Sequence, residues 1–308
     1  MRAPLAEASV ADSSAPEHVR RRLGAGFVAL AVVTYALLVF GSTVRVHGAG
    51  LACPDWPLCF GELVPRLDFR IFLEWGHRVL AGGISLGFTV LSAYIASRRQ
   101  LRHEFGVHVL VLIGILCAQI VFGGLTVLKL LAFWSVTTHL LLGNAFMVGL
   151  LGLALRLRGA GVASTPVPPV ATLAALVTVQ MALGGLVSSN YAGLACTEWP
   201  TCNGGVWFPT FTGIIGLQLV HRLGAYAVLA AAAFVAWRVR GLAVWVLVLV
   251  LGQVAVGVTN VIMAMPAELA VLHAALAHGI VAITSVLAWR TYLSRAPSGA
   301  PRGQMVSA

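Results

Sequence analysis

Apolar residues run along this chain in eight long blocks, separated by short polar or glycine-rich segments. The blocks cover roughly 23–45, 71–97, 105–128, 132–155, 168–189, 212–236, 241–263 and 268–290. Each reaches the about 20 residues that a helix needs to cross a bilayer. The pattern predicts eight transmembrane helices.

Composition points the same way. Of the 308 residues, 59% are apolar and 10% charged, against about 25% charged in a soluble domain. So few charges cannot cover a water-soluble globule of this size. A disordered chain would be poor in apolar residues and rich in charge. A polytopic membrane protein is the class left.

The arginines set an expected orientation. Arg20, Arg21 and Arg22 precede the first block; Arg98, Arg99 and Arg102 follow the second. Arg156, Arg158, Arg238, Arg240, Arg290, Arg295 and Arg302 follow the fourth, sixth and eighth. All fall on one side. The other side has Arg45, Arg66, Arg70 and Lys129. The positive-inside rule places both termini in the cytoplasm and the chain in the cell membrane as a multi-pass protein. The net charge of +10 then reflects topology, and no base-reading groups accompany it, so nucleic acid is not an expected partner. Glu7, Asp12 and Glu17 argue against a mitochondrial transit peptide, and the first block is too long for a signal-peptide core. Residues 1–22 and 291–308 are expected to be disordered cytoplasmic tails.

The chain repeats itself. Residues 49–59 read AGLACPDWPLC and residues 192–202 read AGLACTEWPTC, with eight of eleven positions identical at an offset of 143. LEWGHRV at 73–79 parallels LQLVHRL at 217–223 at offset 144, and THLLLG at 138–143 parallels LHAALA at 272–277 at offset 134. Each copy holds four spans, so both copies enter from the same side. The expected fold is all-α, with two four-helix bundles over 23–156 and 168–290. A pseudo-two-fold axis along the membrane normal relates them, and a cytoplasmic linker at 157–167 joins them.

Cys53 and Cys59 lie in the first long outer loop, Cys196 and Cys202 in the second. On an oxidising side, C-x5-C pairs read as intraloop disulfides, each contributing roughly 2–3 kcal/mol in the entropy view. A zinc site competes, but pairs on separate bundles need further ligands to share one metal. Cys117, alone in the third span, reads as a small buried hydrophobe.

Four of the nine histidines lie inside spans at matched depth. His77, His139, His221 and His273 each sit about 9–14 Å below the outer start of their spans, at 1.5 Å per residue. Two imidazoles facing each other inside one bundle can hold a heme iron between them. A single intramembrane histidine is more often structural; four, paired by the repeat, are not readily explained so. His278 competes with His273. The repeat favours His273, whose counterpart is His139, whereas His278 corresponds to Asn144.

One asymmetry separates the copies. Glu74 is the only acid well inside a block and lies three residues before His77; the second copy has Gln218 there. A carboxylate in lipid is costly and defaults to a functional role, so the first site is expected to do chemistry and the second to carry electrons. The bland alternative is that Glu74 merely pairs with Arg78. Arg78 and Arg222 directly follow histidines, and two roles stand open for them: balancing heme propionates, or reaching to the interface.

Glu-x-x-His-Arg at 74–78, His139, the His221/His273 pair and the duplicated GLxCxxWPxC loops together resemble the heme A synthase family, in its cysteine-containing bacterial form. The resemblance covers about residues 23–290. It implies an oxidoreductase that converts the C8 methyl of heme O to a formyl group, giving heme A for terminal oxidase assembly. It implies that the oxygen comes from water, by successive hydroxylations through an alcohol. It implies His77 and His139 as ligands of the substrate or product heme, with Glu74 the carboxylate needed for turnover. It implies His221 and His273 as ligands of heme b, and a structural Cys196–Cys202 disulfide. The role of Cys53 and Cys59 in activity varies within the family. Glu74 would stabilise positive charge on the substrate carbon or move a proton. Implied partners are heme O, membrane lipid, a heme O-producing farnesyltransferase and an electron donor or acceptor that the residues do not name. Two other functions fit the bare pattern: a diheme b-type cytochrome exchanging electrons with quinone, and a 4+4 repeat transporter.

Overall fold

The computed structural model describes residues 16–159 and 167–293. Most of the expected linker and tails lie outside them. Eight long helices run through the described residues: α1 (Glu17–Val46), α2 (Phe69–Ser97), α3 (Arg99–Leu128), α4 (Phe133–Leu157), α5 (Val167–Ser189), α6 (Gly213–Val239), α7 (Leu242–Ile262) and α8 (Ala267–Leu293). All eight are long and apolar enough to cross a membrane. The shortest, α7, has 21 residues and reaches about 31 Å, the thickness of a hydrocarbon core. The chain is an all-α polytopic membrane protein.

α1 to α4 pack in a closed ring, each on the next, and α5 to α8 form a second ring. The rings meet through α1 with α8, α4 with α5, and α4 with α8. At this seam, residues in corresponding positions of the repeat touch each other. His278 is 1% exposed, and its Nδ1 lies 3.0 Å from Asn144 Oδ1. Arg45 Nε donates to Ser188 Oγ at 2.7 Å. The first pair is 134 residues apart and the second 143, the offsets already seen in the repeat.

Helices in lipid gain little from hydrophobic burial and associate by close packing and hydrogen bonds. Here the large side chains pack at the end of each ring away from the cysteine loops. In the first ring they include Phe27, Phe88, Phe105, Leu150 and Leu157. In the second they include Leu173, Val235, Val246 and Leu287. Toward the loops the contents change to histidine, glutamine and glycine. The packing therefore leaves the loop end of each ring for the polar residues.

Three differences from the sequence expectations have physical causes. α1 begins at Glu17, so residues 17–22 are helix rather than tail. Arg20 forks onto Glu104 at 2.8 and 2.9 Å and its guanidinium lies 5.2 Å from the Phe105 ring centroid. This ties α1 to α3 beyond the hydrocarbon. α3 likewise begins at Arg99, because charged first turns are tolerated where water reaches. Cys117 is exposed on α3, not buried, since it lies on the face that α3 turns away from the ring.

The connections also recur. Asp68 caps α2 by accepting from Ile71 N at 2.8 Å. The α3–α4 and α7–α8 turns each place two consecutive residues at positive φ, Leu130 and Leu131 in one, Ala264 and Met265 in the other. Leu131 N and Met265 N close them onto Thr126 O and Asn260 O at 2.8 and 2.7 Å.

Asn144→Leu leaves the buried His278 ring without its partner and is expected to cost about 1–3 kcal/mol. Adding His278→Leu should recover part of that loss. Thermal unfolding in detergent of both single variants and the double measures the coupling; strictly additive losses would show that the contact contributes nothing.

Candidate functional site

Each cysteine loop sits over its ring and is pinned by one arginine. Cys53 bonds Cys59 and Cys196 bonds Cys202. The Trp56–Pro57 and Trp199–Pro200 bonds inside the two loops are both cis. Arg78 donates to the carbonyls of Asp55 at 2.8 Å and Leu58 at 2.5 Å. Arg222 donates to the carbonyls of Thr201, Cys196 and Glu198 at 2.9–3.0 Å. Both arginines act as clamps on loop carbonyls. In each loop a carboxylate folds the chain from within. Asp55 accepts from Phe60 N and Gly61 N at 2.7 Å, and Glu198 accepts from Gly204 N and Gly205 N at 3.0 Å. Those amides hold both carboxyls below their usual range. The stabilisation is present above the ordinary carboxylate pKa and is lost as pH falls through the lowered one.

Below the first loop lies Glu74, 5% exposed. Its Oε2 accepts from Cys53 N at 2.8 Å and its Oε1 pairs with Arg78 at 2.5 Å. The ion pair is therefore real, and the carboxylate also joins the disulfide loop to the helix that carries His77. Gln218 in the second half donates instead to Gly193 O at 3.1 Å. The shape is kept and the charge is absent.

One turn further in are the histidines. His77 lies on α2 and His139 on α4 of the first ring, and His221 on α6 and His273 on α8 of the second. Each ring thus carries two of the four histidines singled out in the sequence. His278 is spent on the seam with Asn144.

Every one of the four imidazoles lies against a glycine of the preceding helix. A Cβ at Gly41 would be 3.1 Å from His77 Nε2, and one at Gly123 would be 2.9 Å from His139 Cε1. A Cβ at Gly184 would be 3.3 Å from His221 Cε1, and one at Gly257 would be 3.0 Å from His273 Cε1. These glycines escaped the sequence reading. A signal for them exists, because Gly41 and Gly184 share the cysteine offset of 143, and Gly123 and Gly257 share the histidine offset of 134.

Glutamines complete the surroundings. The Gln119 carbonyl lies 3.2 Å from His139 Nδ1. The backbone of its counterpart Gln253 lies beside His273 without closing a well-formed bond to Nδ1. Oε1 of Gln119, Gln180, Gln218 and Gln253 is in each case buried and without a partner.

Fold and site define a duplicated eight-helix membrane protein with one imidazole pair in each half. Residues 26–71 and 67–285 match the COX15-CtaA family, described as cytochrome oxidase assembly protein, and the chain belongs to that family. It is 30% identical over 295 residues to the heme A synthase of Shewanella oneidensis, covering 79% of this chain and 88% of the relative. It is 28% identical over 333 residues to the heme A synthase of Methylobacterium radiotolerans, covering 88% of each. It is 27% identical over 264 residues to that of Halalkalibacterium halodurans, covering 77% of this chain and 86% of the relative.

The residues present fit a heme iron. Among the described residues no three of His, Cys, Asp or Glu converge; the imidazoles come in twos, the number a porphyrin iron accepts on its axis. A proton on His139 Nδ1 directed at the Gln119 carbonyl leaves Nε2 free to coordinate.

Arg78→Leu is expected to cost more stability than Arg222→Leu, by about 3 kcal/mol, because it strands the buried Glu74 charge whereas Gln218 is neutral. Thermal unfolding of the two variants measures this. The excess should vanish when Arg78→Leu is combined with Glu74→Gln, and an excess that persists would contradict the charge argument.

Proposed function

We propose that the chain acts as a heme A synthase, an oxidoreductase converting the C8 methyl of heme O to the formyl of heme A. One observation carries the reading: a single buried carboxylate, Glu74, stands beside one histidine pair, and neutral Gln218 stands at the equivalent place beside the other. Two equivalent electron-carrying sites would have no need of that difference. The relatives named heme A synthase, matched over most of their length, support the same conclusion.

In this reading His77 and His139 hold the substrate heme, and His221 and His273 hold heme b. Bound heme b supplies a redox-active iron for passing electrons. The chain's own residues orient and polarise. The four glycines let the imidazoles lie close to the neighbouring helices, and the arginine-clamped loops close each ring against water. In the overall change an oxygen from water enters the methyl carbon while electrons and protons leave it. Both oxygens of Glu74 are engaged, by Cys53 N and by Arg78. This favours a fixed negative charge facing the reacting carbon over a group that picks up a proton.

The arginine-rich helix ends place the termini in the cytoplasm and the disulfide loops outside. The contacts between corresponding residues, Asn144 with His278 and Arg45 with Ser188, support a pseudo-two-fold axis running along the seam. A farnesyl-transferring enzyme that makes heme O is the partner this chemistry requires.

Co-expression with a heme O source, followed by chromatography of extracted hemes, tests the proposal. Wild-type protein should yield heme A alongside heme b. Glu74→Gln should retain bound heme O and lower heme A by at least about 100-fold, the scale of a lost electrostatic contact in a transition state. Normal heme A from that variant, or heme b alone from the wild type, would contradict it.

A further inference from the structure

The halves differ at one more pair of positions, and the difference lies against a histidine. On α5, Gln180 Nε2 lies 3.1 Å from His221 Nδ1 and donates to the His221 carbonyl at 2.9 Å. Its Oε1 is buried and unpartnered. Room for the amide comes from Gly224 of α6, where a Cβ would collide with Gln180 Oε1. The corresponding residues of the first half are Leu37 (180 − 143 = 37) and Leu80 (224 − 144 = 80). Both leucines pack against the apolar core of that ring. His77 has the Phe40 ring as its neighbour, with centroids 6.0 Å apart, and among the described residues nothing hydrogen-bonds its imidazole. A glutamine with a glycine to admit it has thus been exchanged for two leucines.

We infer that Gln180 is a positioning residue that makes the second half retain its porphyrin, and that the Leu37–Leu80 pair leaves the first half able to exchange one. The inference rests on the reading that the second half holds heme b. An imidazole that binds iron through Nε2 carries its proton on Nδ1. An acceptor on that proton fixes the ring and strengthens it as a donor. Turning the Gln180 amide away from the His221 carbonyl gives up the bond its Nε2 makes there and brings the orphaned Oε1 onto the Nδ1 proton instead. His77 has no such acceptor. The histidines of α4 and α8 share a backbone neighbour, Gln119 in one half and Gln253 in the other, and only His139 closes a bond to it; the side chains that differ beside the other two histidines lie on α1 and α5. The requirement it meets is chemical. A resident cofactor must stay through many turnovers, whereas a substrate site must release its product.

The test uses the full chain, loaded with heme and held in nanodiscs. Transfer of heme b to apomyoglobin is followed by absorbance, and the heme b midpoint potential by redox titration. Gln180→Leu should speed transfer roughly 10–100-fold and raise the potential, because the weaker donor favours ferrous iron less poorly. The reciprocal Leu37→Gln/Leu80→Gly protein should slow departure of the first-half porphyrin by a similar factor, and does so independently of whether Gln180→Leu folds. Unchanged transfer and potential in Gln180→Leu, with helix content intact by circular dichroism, would overturn the inference. So would an unchanged departure rate in the reciprocal variant. His221→Ala separates the underlying reading: if that protein keeps heme b at the wild-type level, the assignment of heme b to the second half has failed, whatever Gln180 does.

Discussion

The arrangement depends on a close approach of four imidazoles to four glycines. Gly41, Gly123, Gly184 and Gly257 each lie within contact distance of a histidine on the next helix. A single methyl at Gly123 would fall 2.9 Å from the His139 ring, closer than packed atoms tolerate without shifting. Glycine inside a helix normally weakens it. Here eight apolar helices in lipid need little help to stay helical, so the absent side chains become space beside each imidazole. The large residues gather at the opposite end of each ring, where they hold the helices in register. Rigidity and vacancy of side chains are thus separated along the membrane normal, and the histidines stand between them.

Duplication then allows the two halves to diverge without altering the frame. The loop disulfide, the arginine clamp, the carboxylate folding each loop and the glycine–histidine contact all occur twice. Three differences between the halves lie close to the imidazoles. Glu74 corresponds to Gln218, Leu37 to Gln180, and Leu80 to Gly224. The first places a charge in one half; the other two place a hydrogen-bonding amide in the other half. Both changes act on the residues around the imidazoles rather than on the imidazoles themselves. One frame in this way carries two sites with different surroundings, as the proposed division between substrate heme and heme b requires.

Much of this was legible in the chain. Spans of about 20 apolar residues have few alternatives to a transmembrane helix, and the constant offsets paired the cysteines and histidines. The repeat favours His273 over His278, and the structure places His278 against Asn144 at the seam. The clamping role of Arg78 and Arg222 was not legible, because the acceptors are backbone carbonyls whose positions exist only once the loops have folded. The exposed Cys117 was misread as buried, because α3 is apolar on all sides and its pattern does not say which face meets the ring. Gln180 carried no signal either. A lone glutamine in an apolar block acquires meaning only when the histidine beside it and the glycine that admits it are seen together.

Electron paramagnetic resonance of the oxidised, heme-loaded protein bears most directly on the central claim of one imidazole-paired iron in each half. The account predicts two low-spin signals, of which His77→Ala abolishes only one and His221→Ala only the other. A single signal that survives both substitutions would contradict it.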